Sequence, residues 1–490
     1  MGGFYALRTW ATIPGMRAFS SAVLVVLTLC LAAIRPGALA AQPPGPPRTM
    51  RVDYFHTGNT TQEIFALDRV VIEPAPWPGP RDAPADRLQY GAYGFDVHDA
   101  ATGALVYSRG FASIYDEWVT TDEAATTTRT FHESVRFPAP AAPVRVSVRK
   151  RGQRNAWTPV WTTTVDPADM FVDTAAPAPA PGPVIEIERH GDPATKVDLL
   201  LLGDGYTAAE QGKFRKDAQR LVDILFATSP FTERRQDFNV WGLVPPAAES
   251  GISRPSLGVH RANPVGSTYD AFGSERYVLT FDNRRFREIA SYAPYDVVEI
   301  VVNGRTYGGG GIYNLFSTVA ADNAFAPYVF VHEFGHHFAA LADEYYTSPV
   351  AYLPATAREE PWEPNVTALL DPASLKWKDL VTPSTPLPTP WEKDAYETRA
   401  RETQATRAAL RKDKRPESEM EALFTREKRQ DDADFGKERY AHQVGAFEGA
   451  KYEARGYYRP EANCIMFTRT DEFCAVCRRA IDAVIDTYVR

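Results

Sequence analysis

The sequence predicts an α+β chain in which a β-sandwich precedes an α/β domain built on a mixed sheet. Three observations carry that expectation. From Met50 to about Val165 the pattern has period two, as where Val144, Val146 and Val148 alternate with Arg145, Ser147 and Arg149, the signature of half-buried strands. Alternating proline over Ala175 to Pro183 then marks a boundary, because proline holds the chain near polyproline II as a semi-rigid spacer. Beyond it the continuous apolar run Val197 to Leu202 reads as a strand buried on both faces, with a helical pattern after it.

Residues 1–40 read as an export signal. Arg8 and Arg17 precede the apolar run Ala22 to Ile34, and Ala38, Leu39 and Ala40 supply the small residues for cleavage after Ala40. The run is too short for a lasting bilayer anchor, so the chain is expected to be secreted or periplasmic, with no stable membrane attachment after signal removal. A formal charge of −8 over 490 residues, with no clustered basic face, gives no reason to expect nucleic acid as a partner. Length alone allows two or three domains.

Residues 41–174 form the expected sandwich domain, with a Pro-rich leader over Ala41 to Arg48. In it the run Tyr90 to Val97 meets Ala104 to Tyr107 across a turn containing Asp99 and Gly103. It holds no cluster of His, Cys or acids at ligand spacing. Trp118, Trp157 and Trp161 offer aromatic surface for a glycan or a protein, against the commoner fate of tryptophan as core. Residues 175–183 are the linker and 184–490 the second domain. There Gly203 to Tyr206 closes the first strand, and Thr207 with Glu210 makes a capping box opening a helix whose Phe214, Ala218, Leu221, Val222 and Leu225 share a face. Phe238 to Val244 and Val297 to Val302 read as further strands. The glycines Gly308 to Gly311 fit no phosphate-loop spacing and read as a turn. Ile312 to Val319 then reads as an edge strand beside a cleft, where a substrate backbone adds as one more strand. Residues of about 350–440 form a charged insertion, helical and solvated over Glu392 to Gln430 with a break near Pro416.

Chemistry enters at His332, Glu333 and His336, which spell His-Glu-x-x-His. On a helix, positions i and i+4 share a face, so His332 and His336 can hold one metal between them with Glu333 alongside. Neutral imidazoles suit zinc, and an open coordination position leaves room for a water whose pKa falls to about 7. Glu333 is placed to take that water's proton. A third ligand is expected at Asp343, with Glu344 in reserve; the small Ala339, Ala340 and Ala342 let the chain turn back toward the metal, and two acids at a helix C-terminus oppose the helix dipole. Pro327 suits the first turn of this helix.

Only Cys464, Cys474 and Cys477 remain after the signal. In an oxidising compartment Cys464 is expected to pair with Cys474 or Cys477, a closure worth roughly 3 kcal/mol. A redox pair or half a zinc knuckle are the alternatives, the knuckle lacking its other ligands.

Asn463, Cys464, Ile465 and Met466, far downstream of the helix, resemble the methionine turn of metzincin zinc peptidases. Within that clan the chain resembles the IgA-peptidase family of secreted zinc peptidases. The resembling stretches are Leu201 to Thr207, Phe238 to Trp241, Tyr307 to Asn314, His332 to Tyr345, Val444 to Gly449 and the region Cys464 to Cys477. The likeness covers about Ile185 to Cys477 apart from the charged insertion, and the front resembles the family's N-terminal domain. It implies a metzincin-like catalytic domain, one zinc per chain, and cleavage of a protein or peptide substrate. His332 and His336 match the histidine ligands, Glu333 the general base and Met466 the turn. Metzincins place glycine three residues and a ligand six residues after the second histidine, where this chain has Ala339 and Ala342, so Asp343 is displaced by one. Tyr457 and Tyr458 are the candidates for steadying the oxyanion.

The expected function is therefore that of an exported zinc metalloendopeptidase. One rival is a peptidase of another clan completed by Glu359 or Glu360. The other is an exported glycan- or protein-binding protein with an inactive peptidase-like domain.

Overall fold

A computed structural model describes residues 46–80, 84–177, 179–348 and 358–489. The export signal lies outside the described residues. Among these residues no helix is long and apolar enough to cross a membrane.

The chain is mixed α+β. At the front, two four-stranded sheets form. One runs in the order Arg129–Pro138, Arg48–Gly58, Glu63–Pro76, Val172–Asp173, the other Leu105–Phe111, Tyr93–Asp99, Val144–Arg151, Trp157–Val165. Alternation explains the arrangement. Met50, Val52 and Tyr54 of the first sheet and Phe95, Val97, Val144, Val146 and Val148 of the second fall in one buried cluster. The expected hairpin is present, with Asp99 accepting from the backbone of Ala101 and Thr102 in the turn. Trp118 is not surface: it is buried on the short helix Ile114–Trp118 and donates to Glu123 at 2.7 Å. Trp161 packs on the core and Trp157 lies under Arg149 and Arg151. Three aromatic rings thus have structural work, which weakens the binding-surface reading.

The second part is built on a six-stranded sheet. Its order is Gly309–Ile312, Phe316–Ala320, Val297–Val302, Val197–Asp204, Phe238–Leu243, Ile185–Glu188. The four inner strands are parallel and both edges antiparallel. Every residue of Val197–Asp204 is buried, as a strand covered on both faces requires. Asp204 explains the Gly-Asp-Gly turn: its carboxylate accepts from the backbone N–H of Val265 (3.0 Å) and Ser267 (2.9 Å), anchoring that loop. The capping box of Thr207 and Glu210 is formed and leads into the helix Gln211–Leu225, whose Phe214, Ala218, Leu221, Val222 and Leu225 are buried.

One expectation is corrected here. The edge strand is the glycine run itself, Gly309–Ile312, hairpinned onto Phe316–Ala320. Glycine is a poor strand former, but close packing demands it: a Cβ on Gly311 would sit 2.3 Å from the Glu333 carbonyl oxygen, and one on Gly309 2.5 Å from Val329. The histidine helix, Ala326–Ala339, lies directly on this edge.

The charged insertion forms the helices Lys393–Lys412 and Glu417–Phe435 with Pro416 at the break. It is less solvated than its composition predicts. Met420, Leu423, Phe424 and Phe435 are buried, and Glu417 accepts from the Tyr307 backbone N–H at 3.1 Å. The chain closes with the hairpin Phe447–Ala450 and Glu453–Arg459 and the helix Ala475–Tyr488.

The two parts are not held apart by the Pro-rich stretch. Arg69 pairs with Glu288 at 2.6 Å, Arg136 donates to the Tyr295 carbonyl at 3.1 Å, and Ala112 N–H donates to the Tyr313 carbonyl at 3.0 Å. Ile114, Tyr115, Trp118 and Phe131 share a buried cluster with Leu200, Leu202 and Phe286 beneath the main sheet.

Candidate active site

The histidine helix ends because Ala340 turns left-handed, with φ 56° and ψ 29°. Its N–H still bonds the His336 carbonyl at 3.1 Å, the 5→1 bond of an αL cap, and Leu341 N–H reaches the Gly335 carbonyl at 3.3 Å. That turn throws the chain back along the helix. Asp343 Oδ1 arrives 3.1 Å from His332 Nε2 and 3.2 Å from His336 Nε2, and the two Nε2 atoms are 3.2 Å apart.

These three atoms form a nearly equilateral triangle. Each histidine presents Nε2 because its Nδ1 faces a backbone carbonyl, Ile465 at 2.9 Å for His332 and Leu341 for His336, which fixes the tautomer and ring orientation. Asp343 Oδ1 is buried and has no hydrogen-bond donor of its own. Two imidazole nitrogens and a carboxylate oxygen this close repel one another unless a proton or a cation lies among them. A tetrahedral ion with bonds of about 2.0–2.1 Å separates its ligand atoms by about 3.3 Å, so the residues fit a zinc-sized ion. Asp343's other oxygen is held by the Tyr452 hydroxyl.

Tyr452 reaches that oxygen from the turn of the last hairpin, where Lys451 and Tyr452 both have positive φ, 51° and 65°. Such a turn normally uses Asn-Gly, and two ordinary side chains in it mark strain kept at a functional site. Two backbone bonds compensate: Lys451 N–H donates to the Asp343 carbonyl at 3.0 Å and Tyr452 N–H to the Tyr345 carbonyl at 3.1 Å.

Glu333 is half-buried beside the triangle, and burial raises its pKa while His332 and His336 oppose the rise. For His336 burial works against the proton but is outweighed by Asp343 and Glu333, so the ring is pushed up to about 9 in the absence of a cation. The neighbouring His337 is different. It is fully enclosed, with Nδ1 facing the Ile312 carbonyl at 3.1 Å and Nε2 accepting from Val298 N–H at 3.1 Å, and burial pushes it down to about 3. It is a neutral structural bridge from helix to sheet.

The cleft over this site encloses about 480 Å³. Its walls come from both parts of the chain: Asp116, Glu117 and Thr120 from the front, Arg276, Gly311 and Tyr452 from the rest. Arg276 donates to the Tyr345 hydroxyl at 3.2 Å.

His332, Glu333, His336 and Asp343 are therefore brought together as expected, and Met466 is fully buried with its sulfur 3.1 Å from where a Cβ on Gly335 would be. Glu344 is not part of this group; its side chain points to the cysteines, with Oε1 3.4 Å from Cys477 Sγ. Consecutive residues of an extended chain face opposite sides, which explains the divergence from Asp343. Glu360 is committed elsewhere, to Thr367 and Lys376, and neither it nor Glu359 lines the cleft. Of the two oxyanion candidates, Tyr457 lines the cleft and Tyr458 does not. Tyr452 and Arg276 escaped sequence reasoning, and the only available signal was the unusual Lys-Tyr pair at a hairpin tip. The expected disulfide is also absent: Cys464, Cys474 and Cys477 are free and buried.

A helix with His-Glu-x-x-His spacing beside an edge strand, with a cleft above it, is an arrangement found in metal-dependent hydrolases. Residues 185–485 match the family model for IgA peptidase M64, and residues 45–162 match that for the peptidase M64 N-terminus. The first match covers more than half of the sequence, and the chain belongs to the IgA peptidase M64 family. Membership makes it a peptidase of a metal-dependent kind, with protein as the substrate class. A comparison with curated proteins found no match.

Proposed function

We propose that the chain is an exported zinc metalloendopeptidase of metzincin type, with a β-sandwich at its front and Glu333 as general base. The observation that carries this reading is the triangle of His332 Nε2, His336 Nε2 and Asp343 Oδ1, with sides of 3.1 to 3.2 Å and an otherwise unpartnered carboxylate oxygen. The export step rests on the sequence of residues 1–40 alone.

His332, His336 and Asp343 would hold the zinc, which when bound supplies Lewis-acid polarisation and an acidified water. Glu333 accepts a proton at its carboxylate and returns it to the leaving amine; its upward-shifted pKa brings it nearer the range where it both takes and gives a proton near neutrality. Tyr452 holds Asp343 so that Oδ1, not Oδ2, faces the histidines. Met466 and the Ile465 carbonyl support the helix from beneath. Arg276 and Tyr457, both in the cleft wall, are the groups available to meet a substrate carbonyl. Gly311 offers backbone to an extended substrate, while Gly309 is already bonded to Arg276 and Val278.

The test is metal content and casein hydrolysis on one purified sample, with and without a chelator, alongside Glu333→Gln. The expected result is chelator-sensitive cleavage in the native protein. The variant should bind metal normally and lose activity by about 10²–10⁴-fold, the usual share of a general base. Undiminished hydrolysis by Glu333→Gln would remove the general-base assignment.

A further inference from the structure

Behind the candidate active site, Glu344, Cys464, Cys474 and Cys477 gather their ligand atoms within 4.8 Å of one another. All four residues are at most 2 % exposed. The spacings are those of a coordination shell: Cys464 Sγ to Cys477 Sγ is 3.8 Å, Cys477 Sγ to Glu344 Oε1 3.4 Å, and Cys474 Sγ to the same oxygen 3.9 Å. A tetrahedral zinc with sulfur bonds of about 2.3 Å spaces its sulfurs about 3.8 Å apart.

Two further observations point to an ion. Glu344 Oε2 is buried with no hydrogen-bond partner, while Oε1 accepts from Asn365 Nδ2 at 3.0 Å, and a buried carboxylate left in that state is costly. Backbone N–H groups also aim at sulfur, Cys474 N–H at Cys464 Sγ (3.3 Å) and Cys477 N–H at Cys474 Sγ (3.4 Å), bonds that favour thiolate over thiol. Cys474 caps the helix Ala475–Tyr488, whose positive end adds to this preference.

We propose that Glu344, Cys464, Cys474 and Cys477 form a second, structural zinc site. Four protein ligands close the shell and leave no position for a water, which separates it from the open triangle of His332, His336 and Asp343. Its role follows from chain connectivity. Glu344 succeeds Asp343 and its N–H bonds the Met466 carbonyl at 2.8 Å; Cys464 precedes Ile465, whose carbonyl orients His332. One ion thereby ties the Asp343 segment, the Met466 turn and the last helix together. The sequence hid it because the fourth ligand lies 120 residues upstream of the nearest cysteine.

The deciding experiment is zinc per chain by mass spectrometry on residues 41–490, whose only cysteines are Cys464, Cys474 and Cys477, with cobalt substitution and thiol counting. The native chain should carry two equivalents of zinc. His332→Ala with His336→Ala should retain one, and its cobalt form should show a sulfur-to-cobalt charge-transfer band in the near ultraviolet. Cys464→Ser with Cys477→Ser should lose that band, and if this variant fails to fold the histidine variant still decides. One equivalent in the native chain with none in the histidine variant overturns the proposal. So does finding a single alkylatable thiol after denaturation in chelator, which would mean a disulfide. Failure of the active-site reading looks different, since native and histidine variant would then carry the same thiolate-bound ion.

Discussion

At the scale of single residues, the site depends on two that no motif contains. Tyr452 holds Asp343 by its hydroxyl, and outer partners of this kind are worth about 10–100-fold in metal affinity or activity. Tyr452→Phe is therefore expected to weaken zinc binding by that factor, measured by competition with a chromophoric chelator, while leaving the fold intact by circular dichroism. Ala340 adopts φ 56°, where a Cβ is strained, so Ala340→Gly should stabilise the protein by about 0.5–1 kcal/mol after glycine's own entropic cost. Thermal melting of the metal-loaded protein checks it, and a lower melting temperature would mean that the turn draws on the Ala340 methyl for packing. His332, Glu333, His336 and Asp343 were legible because their geometry is local: one helix face and one tight turn. Tyr452 was not, since nothing between residues 343 and 452 records that the hairpin comes home to the carboxylate.

At the scale of elements, periodicity read correctly wherever burial is two-sided or alternating, as in Val197–Asp204 and Val144–Arg151. It failed at Gly309–Ile312, whose glycines answer to the helix above them and carry no hydrophobic pattern at all. Gly311→Ala tests that explanation. The added methyl meets the Glu333 carbonyl oxygen at 2.3 Å and His336 Cβ at 2.9 Å, both rigid. A loss of about 1–3 kcal/mol in stability is expected, with metal affinity falling in parallel, seen by denaturant titration and metal competition on one preparation. A variant as stable as the parent would show that the helix has slack over the strand. The charged helices of the insertion misled in the opposite sense: their composition is that of a solvated pair, but one face is apolar enough to bury Leu423, Phe424 and Phe435.

For the whole molecule, the Pro-rich stretch falls between the two family-model matches, one ending at residue 162 and the other beginning at residue 185. What it could not convey is that the parts on either side pack together. Contacts such as Arg69 with Glu288 and Phe131 with Phe281 come from residues about 150–220 positions apart, and polyproline character speaks only of the local chain. Residues 184–490 produced alone should therefore expose the surface that Ile114, Trp118 and Phe131 cover. Such a fragment is expected to melt below the full chain and to bind a hydrophobic dye. Equal melting temperatures would show the front to be a passenger.

The cleft wall formed by Asp116, Glu117 and Thr120 has a consequence of its own. The groups assigned to bond breaking belong to the later stretch of the gene, whereas part of the cleft wall belongs to the earlier one, ahead of the Pro-rich segment. Selection on the earlier stretch, which holds Asp116, Glu117 and Thr120, can reshape the cleft without touching the residues assigned to cutting.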